Sequence, residues 1–427
     1  MSIIRETART TPVAIEADVA VCGGGPAGVA AALASARSGA DTVLIERNGC
    51  LGGIWTAGAL PWLLDYQNKS GIMREILDEL EAVGARAIRN GKPTNGCDPE
   101  KLKLLLDRLC LDAGVRLRLH SSVVDAMVDE SGRLTHAIIE SKSGREAVAA
   151  KCFADCTGDG DVGARAGCGY DLGHPETGRT QPMSLIALVA GLGPEEVSDC
   201  YRSGDNASWR APKDRLKAEM ERGGHSPSYD RPTLMWVRDD LFALMANHEY
   251  GVSGTDADDL TEATLRARRE VHDLVDGLRS LGGRWAGARI VATGSQIGVR
   301  EGRRLHGLYT ITQDDLAGGR RHEDAVCEVT FPVDVHATDP ESGKGIEPSP
   351  VQSQPYDIPL RSLIARDVDG LVMAGRCISG DFLAHSSYRV TGNAVAMGEA
   401  AGRTAAKAAR TGREPREVDW QKVLRPA

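Results

Sequence analysis

The chain is poor in aromatic side chains, with Phe, Trp and Tyr making up only 4% of its 427 residues, which leaves little material for the stacking platforms that hold single-stranded nucleic acid. It also has no excess of positive charge, since 51 Lys and Arg against 60 Asp and Glu give a formal net charge of −9. A nucleic acid or an anionic membrane surface finds no global attraction here, and an anionic ligand has to be held by local arginines. No run reaches the roughly 18 uncharged apolar residues that a membrane-spanning helix needs. The opening MSIIRETART lacks the apolar core of a signal peptide, so the expected location is cytoplasmic. Ten cysteines are present but no two are spaced C-x-x-C, which counts against a zinc site, an iron–sulfur cluster or a redox dithiol. Cys152 and Cys156 share a face of an apparent strand, yet sit too far apart along it to bond. The cysteines read as reduced core residues, and no metal is expected.

Glycine, by contrast, is abundant at 49 residues, and six positions near the start carry the most information. Gly23-Gly24-Gly25-Pro26-Ala27-Gly28 has the spacing Gly-x-Gly-x-x-Gly between the apolar run Ala17 to Cys22 and an alanine-rich run, Pro26 to Ser38, that Gly39 stops. This predicts a strand, a tight turn and a helix whose N-terminus faces a pyrophosphate, with glycine where a Cβ would block the turn, the phosphate or the helix–strand contact. A glycine turn in some other strand–helix unit is the plainer alternative. What favours a dinucleotide is the second strand, Asp41 to Glu46, which ends in an acid 18 positions after Gly28, where a carboxylate meets a ribose diol.

Beyond Glu46 a glycine-rich loop runs from Arg47 to Leu60. A helix with leucine at helical spacing follows at Leu102 to Leu111, and then a strand at Val115 to Leu119. Runs at about 122–129, 133–141 and 146–154, separated by Glu130-Ser131-Gly132 and Lys142-Ser143-Gly144, predict a three-stranded meander whose last strand re-enters the sheet. That strand ends in the acidic glycine loop Asp155 to Asp161. The texture then changes, with a long amphipathic helix at Leu260 to Leu281. From 370 to 402 the first style returns, with a strand at Leu371 to Ala374 and a helix at Asn393 to Ala409. The expected fold is therefore α/β: a Rossmann-type domain with a parallel sheet and a meander, built from residues 1–175 and 352–427, carrying an inserted α+β substrate domain at 176–351.

Six segments in this order, VCGGGPAGVAAALASARSGADTVLIER, CLGGIWTAG, DCTGDGDVGARAG, GSQIGVREGRRLHGLYTIT, FPVDVH and the stretch from Ile358 to Gly402, resemble the two-domain FAD-dependent oxidoreductases with a glutathione-reductase-type nucleotide domain. Within them the likeness is to a functionally mixed group with GVRE-x-RR and (I/V)D(I/V)H segments. The resemblance implies FAD as cofactor, rather than FMN or NAD. It puts the adenosine ribose on Glu46, the pyrophosphate on Gly23, Gly25, Pro26, Ala27 and Gly28, and Arg47, Gly52 and Gly53 along the path toward the flavin. Thr157, Gly158 and Asp159 would support the nucleotide, although a solvated turn is the alternative there. Gly375, Arg376, Asp381, Gly392 and Asn393 would close over the ribityl chain and ring. If the last helix starts at Thr391 to Asn393, its positive end faces the flavin edge where reduction places negative charge.

A flavin takes a hydride, so the protein has to orient a C–H bond and remove a neighbouring proton. Two histidines are candidates. His336 lies in Val333-Asp334-Val335-His336, where strand alternation would put it on one face with Asp334, and His385 lies in a loop, Asp381 to Arg389, ahead of the last helix. Either is equally readable as a packed core histidine. Arg300, Arg303 and Arg304 could clamp a carboxylate or phosphate, or simply pair with Glu301 or Asp314, and Arg389 has the same standing. The leading expectation is an FAD-dependent dehydrogenase or oxidase acting on a small polar alcohol, amine or sugar-like molecule. A flavin monooxygenase using NAD(P)H and O2, suggested by Asp159-Gly160 and Arg165, is the second, and a non-catalytic FAD-binding protein the third. A small-molecule substrate is the only expected partner, with homo-oligomerisation left open.

Overall fold

A computed structural model describes residues 3–4, 7–202, 208–341 and 343–424. Its centre is a seven-stranded sheet. Val13–Cys22 pairs in parallel with Thr42–Ile45 on one side and with Gly144–Asp155 on the other. Thr42–Ile45 continues in parallel to Arg116–Arg118, and the end of Gly144–Asp155 takes Leu371–Met373 as a further parallel neighbour. The start of Gly144–Asp155 belongs to the antiparallel meander with Leu134–Ser141 and Ser122–Val128. One strand thus serves two regimes, and its burial records both. Its first eight residues mix buried and exposed positions, while its last four, Cys152 to Asp155, are all buried, as parallel strands covered on both faces must be.

Pro26–Arg37 and Thr391–Thr411, helices from opposite ends of the chain, cover this sheet side by side. Pro26 takes the first helical position, where its missing N–H is no loss, and Gly39 at φ +82° ends the first helix. A Cβ added to Gly398 would stand 2.0 Å from the Ala27 carbonyl oxygen, and one added to Gly402 would stand 2.1 Å from that of Ala31. The equal spacing of the two contacts shows parallel helices in fixed register. Only small residues permit this approach, which explains the alanine and glycine content of both segments.

A second, antiparallel sheet runs Thr233–Arg238, Leu241–Met245, Ala187–Ala190 and Arg289–Thr293. With the helices Ala211–Arg222 and Ala257–Ser280 it encloses its own core of Leu216, Met220, Phe242, Val271, Leu274 and Trp285. Asp256 caps the long helix by accepting from the Asp258 and Asp259 amides, so the helix begins before its leucine pattern does. Leu305, Ile311, Leu316, Val329 and Val335 pack into the first core with the parallel sheet. No helix among the described residues is long and apolar enough to cross a membrane.

Two local expectations are corrected. Val333 to His336 forms no strand; it is extended chain with a single bridge from His336 to Ile346. The segment holding His385 is not a loop but the helix Phe382–Tyr388, which Asp381 caps through the Ala384 amide at 2.7 Å.

Gly402→Val places branched carbon against the Ala31 carbonyl and should cost at least the roughly 1–3 kcal/mol typical of overpacking. Thermal unfolding should show a lowered Tm; an unchanged Tm would mean that the two helices are free to separate.

Candidate functional site

The fingerprint turn has the shape its spacing requires. Gly23 sits at φ +100°, where a Cβ would be 2.4 Å from the Cys156 carbonyl oxygen, and a Cβ on Gly28 would be 1.7 Å from the Gly23 carbonyl oxygen. Gly25 differs: at φ −70° and ψ −173° its backbone suits any residue, and a Cβ there would meet nothing within 4 Å. It faces open space in front of the unbonded first amides of the helix, a cradle that fits a pyrophosphate. The Glu46 carboxylate is fixed by the Gly24 amide at 2.6 Å and by the Asn48 amide and side chain at 2.7 Å. Gly53 packs on the same turn, since a Cβ on it would lie 2.9 Å from Gly25 Cα, and the Gly52 amide donates to the Gly24 carbonyl at 2.8 Å. Arg47 is exposed and makes no hydrogen bond or ion pair among the described residues.

The acidic loop is tied to the other end of the chain. Arg376 donates to the Gly158 carbonyl at 3.1 Å and pairs with Asp159 and the Val299 carbonyl. Thr157 is held by Asp155, its amide at 3.1 Å and its hydroxyl at 2.7 Å from the carboxylate. Gly375 brings this loop onto the fingerprint, with its added Cβ 3.2 Å from that of Ala27. Asp381 has both oxygens engaged, by the Ala384 amide and by the Gln313 amide at 2.6 Å. It acts as a cap in this arrangement.

The last helix begins at Thr391, two residues earlier than its alanine pattern indicates, with Val390 as its cap residue. The Gly392 amide donates to the Leu64 carbonyl at 2.9 Å, and a Cβ on Gly392 would collide with the Asp65 carbonyl. Beside this contact the Asn393 amide group and the Thr391 hydroxyl are buried and have no partner. Buried polar groups are normally satisfied, so these atoms fit the polar edge of a flavin ring.

The catalytic candidates gather in a second cluster. His336 Nε2 lies 3.2 Å from Asp334 Oδ2, its Nδ1 lies 3.0 Å from His248 Nε2, and its amide donates to Gln181 Oε1 at 3.0 Å. Asp334 and His336, two positions apart in an extended segment, are therefore brought together without a strand. Burial, reinforced by Arg300, pushes the His336 imidazole down to about 4, and burial also holds His248 neutral. Burial opposes ionisation of Asp334, but His336, Arg389 and Arg300 outweigh it and hold the carboxyl below the usual range. His385 is apart: it is fully buried, neither ring nitrogen has a partner, and burial lowers it well below the ordinary value.

The three arginines of GVREGRR have different fates. Arg300 donates to the Pro182 carbonyl at 2.6 Å and Ser184 Oγ at 2.9 Å, and has no carboxylate partner among the described residues. Arg303 pairs with Asp161 at 3.1 Å, and Arg304 with Glu301. Arg389 donates to the Asp334 carbonyl at 2.7 Å and to Gln181 at 3.1 Å. Sequence reading missed His248, Tyr250 and Gln181, which lie far along the chain from His336 and follow no motif. The cysteines are free thiols, and burial pushes those of Cys97, Cys152 and Cys168 up to about 12, far from nucleophilic use.

Gly25→Val should fold, because its backbone angles suit valine and no atom is struck, yet purify without flavin. Glu46→Ala removes charged hydrogen bonds worth about 1.5–3 kcal/mol each and should only weaken binding. Flavin absorbance of the purified proteins reads both; full occupancy in Gly25→Val would remove the phosphate site from this turn. A second outcome concerns pH. His336, His248 and His385 titrate below the ordinary 6.5 when folded, so the unfolded chain binds protons that the folded chain does not. Stability present above about pH 6.5 is then lost as pH falls toward the folded value of His336, about 4, and Tm should drop steadily between about pH 6.5 and 4.5. A constant Tm would contradict the neutral burial of these rings.

Thiamine thiazole synthase from Methanothermobacter thermautotrophicus is 33% identical over 120 residues, which is 28% of this chain and 44% of that protein. The enzyme of the same name from Aeropyrum pernix is 32% identical over 127 residues, 29% of this chain and 44% of that one. The chain thus spans less than half the length of the curated relatives it matches. Among solved structures, a geranylgeranyl bacteriochlorophyll reductase-like protein from Thermoplasma acidophilum is similar over 93% of this chain and 80% of its own, at 12% identity and a TM-score of 0.48. The family described as FAD dependent oxidoreductase matches residues 18–425, nearly the whole length. The chain belongs to the FAD-dependent oxidoreductase family, and its cofactor is FAD.

Proposed function

We propose that the protein is a dehydrogenase or oxidase that oxidises a small polar alcohol, amine or sugar-like substrate, with the Asp334–His336 pair receiving the proton. In this reading residues 1–175 and 352–427 hold FAD, and residues 176–351 contribute the substrate side. Bound FAD supplies the acceptor for the hydride. Everything else falls to the chain: Glu46 and the open face of Gly25 bind the nucleotide, Thr391 and Asn393 orient the ring edge, and Arg300 faces the charge that develops as a proton leaves the substrate.

The observation that carries the reading is the coupling of Asp334 to both histidine and flavin-side helices. Its carboxylate bonds His336, while its amide donates to the Ser386 carbonyl at 3.1 Å and its carbonyl accepts from Arg389, two residues before the last helix begins. On this reading the proton acceptor is anchored to the element that would meet the flavin. A neutral imidazole beside an ionised carboxylate is the arrangement a general base needs at neutral pH.

His336→Ala should keep its fold and its FAD but be reduced by substrate about 10²- to 10⁴-fold more slowly, with partial recovery at high pH. Anaerobic reduction of the flavin measures this, with His385→Ala as control. Wild-type reduction in His336→Ala and failure in His385→Ala would transfer the role to His385. Rapid reduction by NADPH, with none by candidate substrates, would support a monooxygenase, and no reduction by either would leave a non-catalytic flavoprotein.

A further inference from the structure

Aromatic side chains are scarce in this chain, yet three of its six tryptophans, Trp62, Trp209 and Trp236, line one recess together with Tyr201. The recess lies where three segments meet. Trp62 comes from the chain that follows the glycine-rich loop, and it bridges to Gly96 in the hairpin of Arg86–Arg89 and Lys92–Cys97. A Cβ on Gly96 would stand 2.3 Å from the Trp236 carbonyl oxygen, so this hairpin lies directly against the antiparallel sheet. Two residues beyond Trp62, the Leu64 carbonyl accepts from the Gly392 amide at 2.9 Å, which ties the same wall to the start of the last helix. Backbone contacts thus fix the walls, as in a preformed ligand site between two parts of a chain.

The charges at the recess are of one sign: Arg89, Arg202 and Lys213 line it, and no lining residue is an acid. Arg89 is engaged by the protein. It donates to the Tyr201 hydroxyl, lies 5.0 Å from the centroid of that ring and has Glu195 4.0 Å away. Arg202 stacks over Trp209 at 4.0 Å. Lys213 differs. Its ammonium lies 5.8 Å from the Trp209 centroid and makes no hydrogen bond or ion pair among the described residues. It is half-buried and stands in the first turn of Ala211–Arg222, the end of a helix where a cation is disfavoured. Burial lowers its pKa from the ordinary value and Arg231 adds to that; the acid that opposes them, Asp334, is already bonded by His336.

We propose that this recess binds a small carboxylic acid with a flat apolar body, its carboxylate on Lys213 and its body against Trp62, Trp209 and Trp236. A carboxylate there supplies the partner that the Lys213 ammonium lacks and offsets the cost of taking that charge out of water. One uncommitted cation among apolar walls matches a single negative charge; a phosphate needs more donors than the recess holds. Two further donors suit the second carboxylate oxygen. The Trp62 indole N–H has no acceptor among the described residues, and Thr94, whose hydroxyl oxygen accepts from the Gly96 amide at 3.2 Å, still has a hydrogen to give. The volume is about 50 Å³, and Trp209 at the edge is half exposed. That leaves room for the carboxylate and the near edge of one ring, with the rest of the ring lying along Trp209. This site goes beyond the proposed reaction and does not require Asp334–His336 to be the proton acceptor.

The test is a binding measurement on the FAD-loaded protein. Followed by 19F NMR, 4-fluorobenzoate should bind at millimolar concentration, and the uncharged 4-fluorobenzyl alcohol should bind at least about tenfold more weakly, since a hydrogen bond to a charged group is worth that factor or more. Inorganic phosphate should not displace the acid. These arms use the native protein and need no variant to fold. Lys213→Gln should weaken 4-fluorobenzoate binding at least about tenfold with the FAD absorbance unchanged, and Lys213→Arg should retain it. Equal binding of acid and alcohol would make the recess an apolar slot, and displacement by phosphate would make it a general anion site; either overturns the proposal. So would unchanged binding in Lys213→Gln, or no binding of 4-fluorobenzoate to the wild type. None of these results touches the Asp334–His336 reading, which is lost only if His336→Ala is reduced at the wild-type rate.

Discussion

The structure depends on one contact, the close parallel packing of Pro26–Arg37 against Thr391–Thr411. Glycine at 398 and 402 lets the two backbones approach until carbonyl oxygens fill the space where side chains would be. This contact joins the first and last parts of the chain into one layer on the sheet. It also sets the distance between two helix N-termini that point the same way. With Gly398 level with Ala27, the last helix begins about six residues beyond the first, about 9 Å at roughly 1.5 Å per residue. One positive end stands at the Gly25 turn and the other at Asn393, the two places to which the proposed function assigns the pyrophosphate and the flavin ring.

The second constraint is electrostatic. The cluster around Asp334 contains two buried imidazoles, a carboxylate and two arginines, and low dielectric makes each unpaired charge costly. The cost is met by ordering: Asp334 is ionised against His336 and Arg389, and both rings stay neutral.

Much of the cofactor side was legible in the sequence because it is local. The turn at Gly23 to Gly28, the helix after it and Glu46 lie within 24 residues, and spacing alone encodes their geometry. The meander and the return of the chain at 370 were readable from alternation and glycine placement. The cluster proposed for proton transfer was not. Val333 to His336 alternates like a strand, but its pairing is an isolated bridge from His336 to Ile346 and no ladder forms; Asp334 and His336 still meet, at 3.2 Å. His385 looked like a loop residue because Ser386 and Ser387 are weak helix formers; burial of Phe382, Ala384 and Tyr388 overrides that preference. His248 and Tyr250 reach His336 only through tertiary folding, and nothing in Asn247-His248-Glu249-Tyr250 marks them beyond a polar run at the end of a buried strand.

The central claim is that two offset helix ends and one carboxylate position FAD beside the Asp334–His336 pair. A crystal structure of the FAD-loaded protein tests it most directly. The account predicts density for the pyrophosphate in front of Gly25, the adenosine ribose on Glu46, and the ring edge within hydrogen-bond reach of Asn393. A pyrophosphate bound away from Gly25, or a flavin ring on the far side of the sheet from His336, would contradict it.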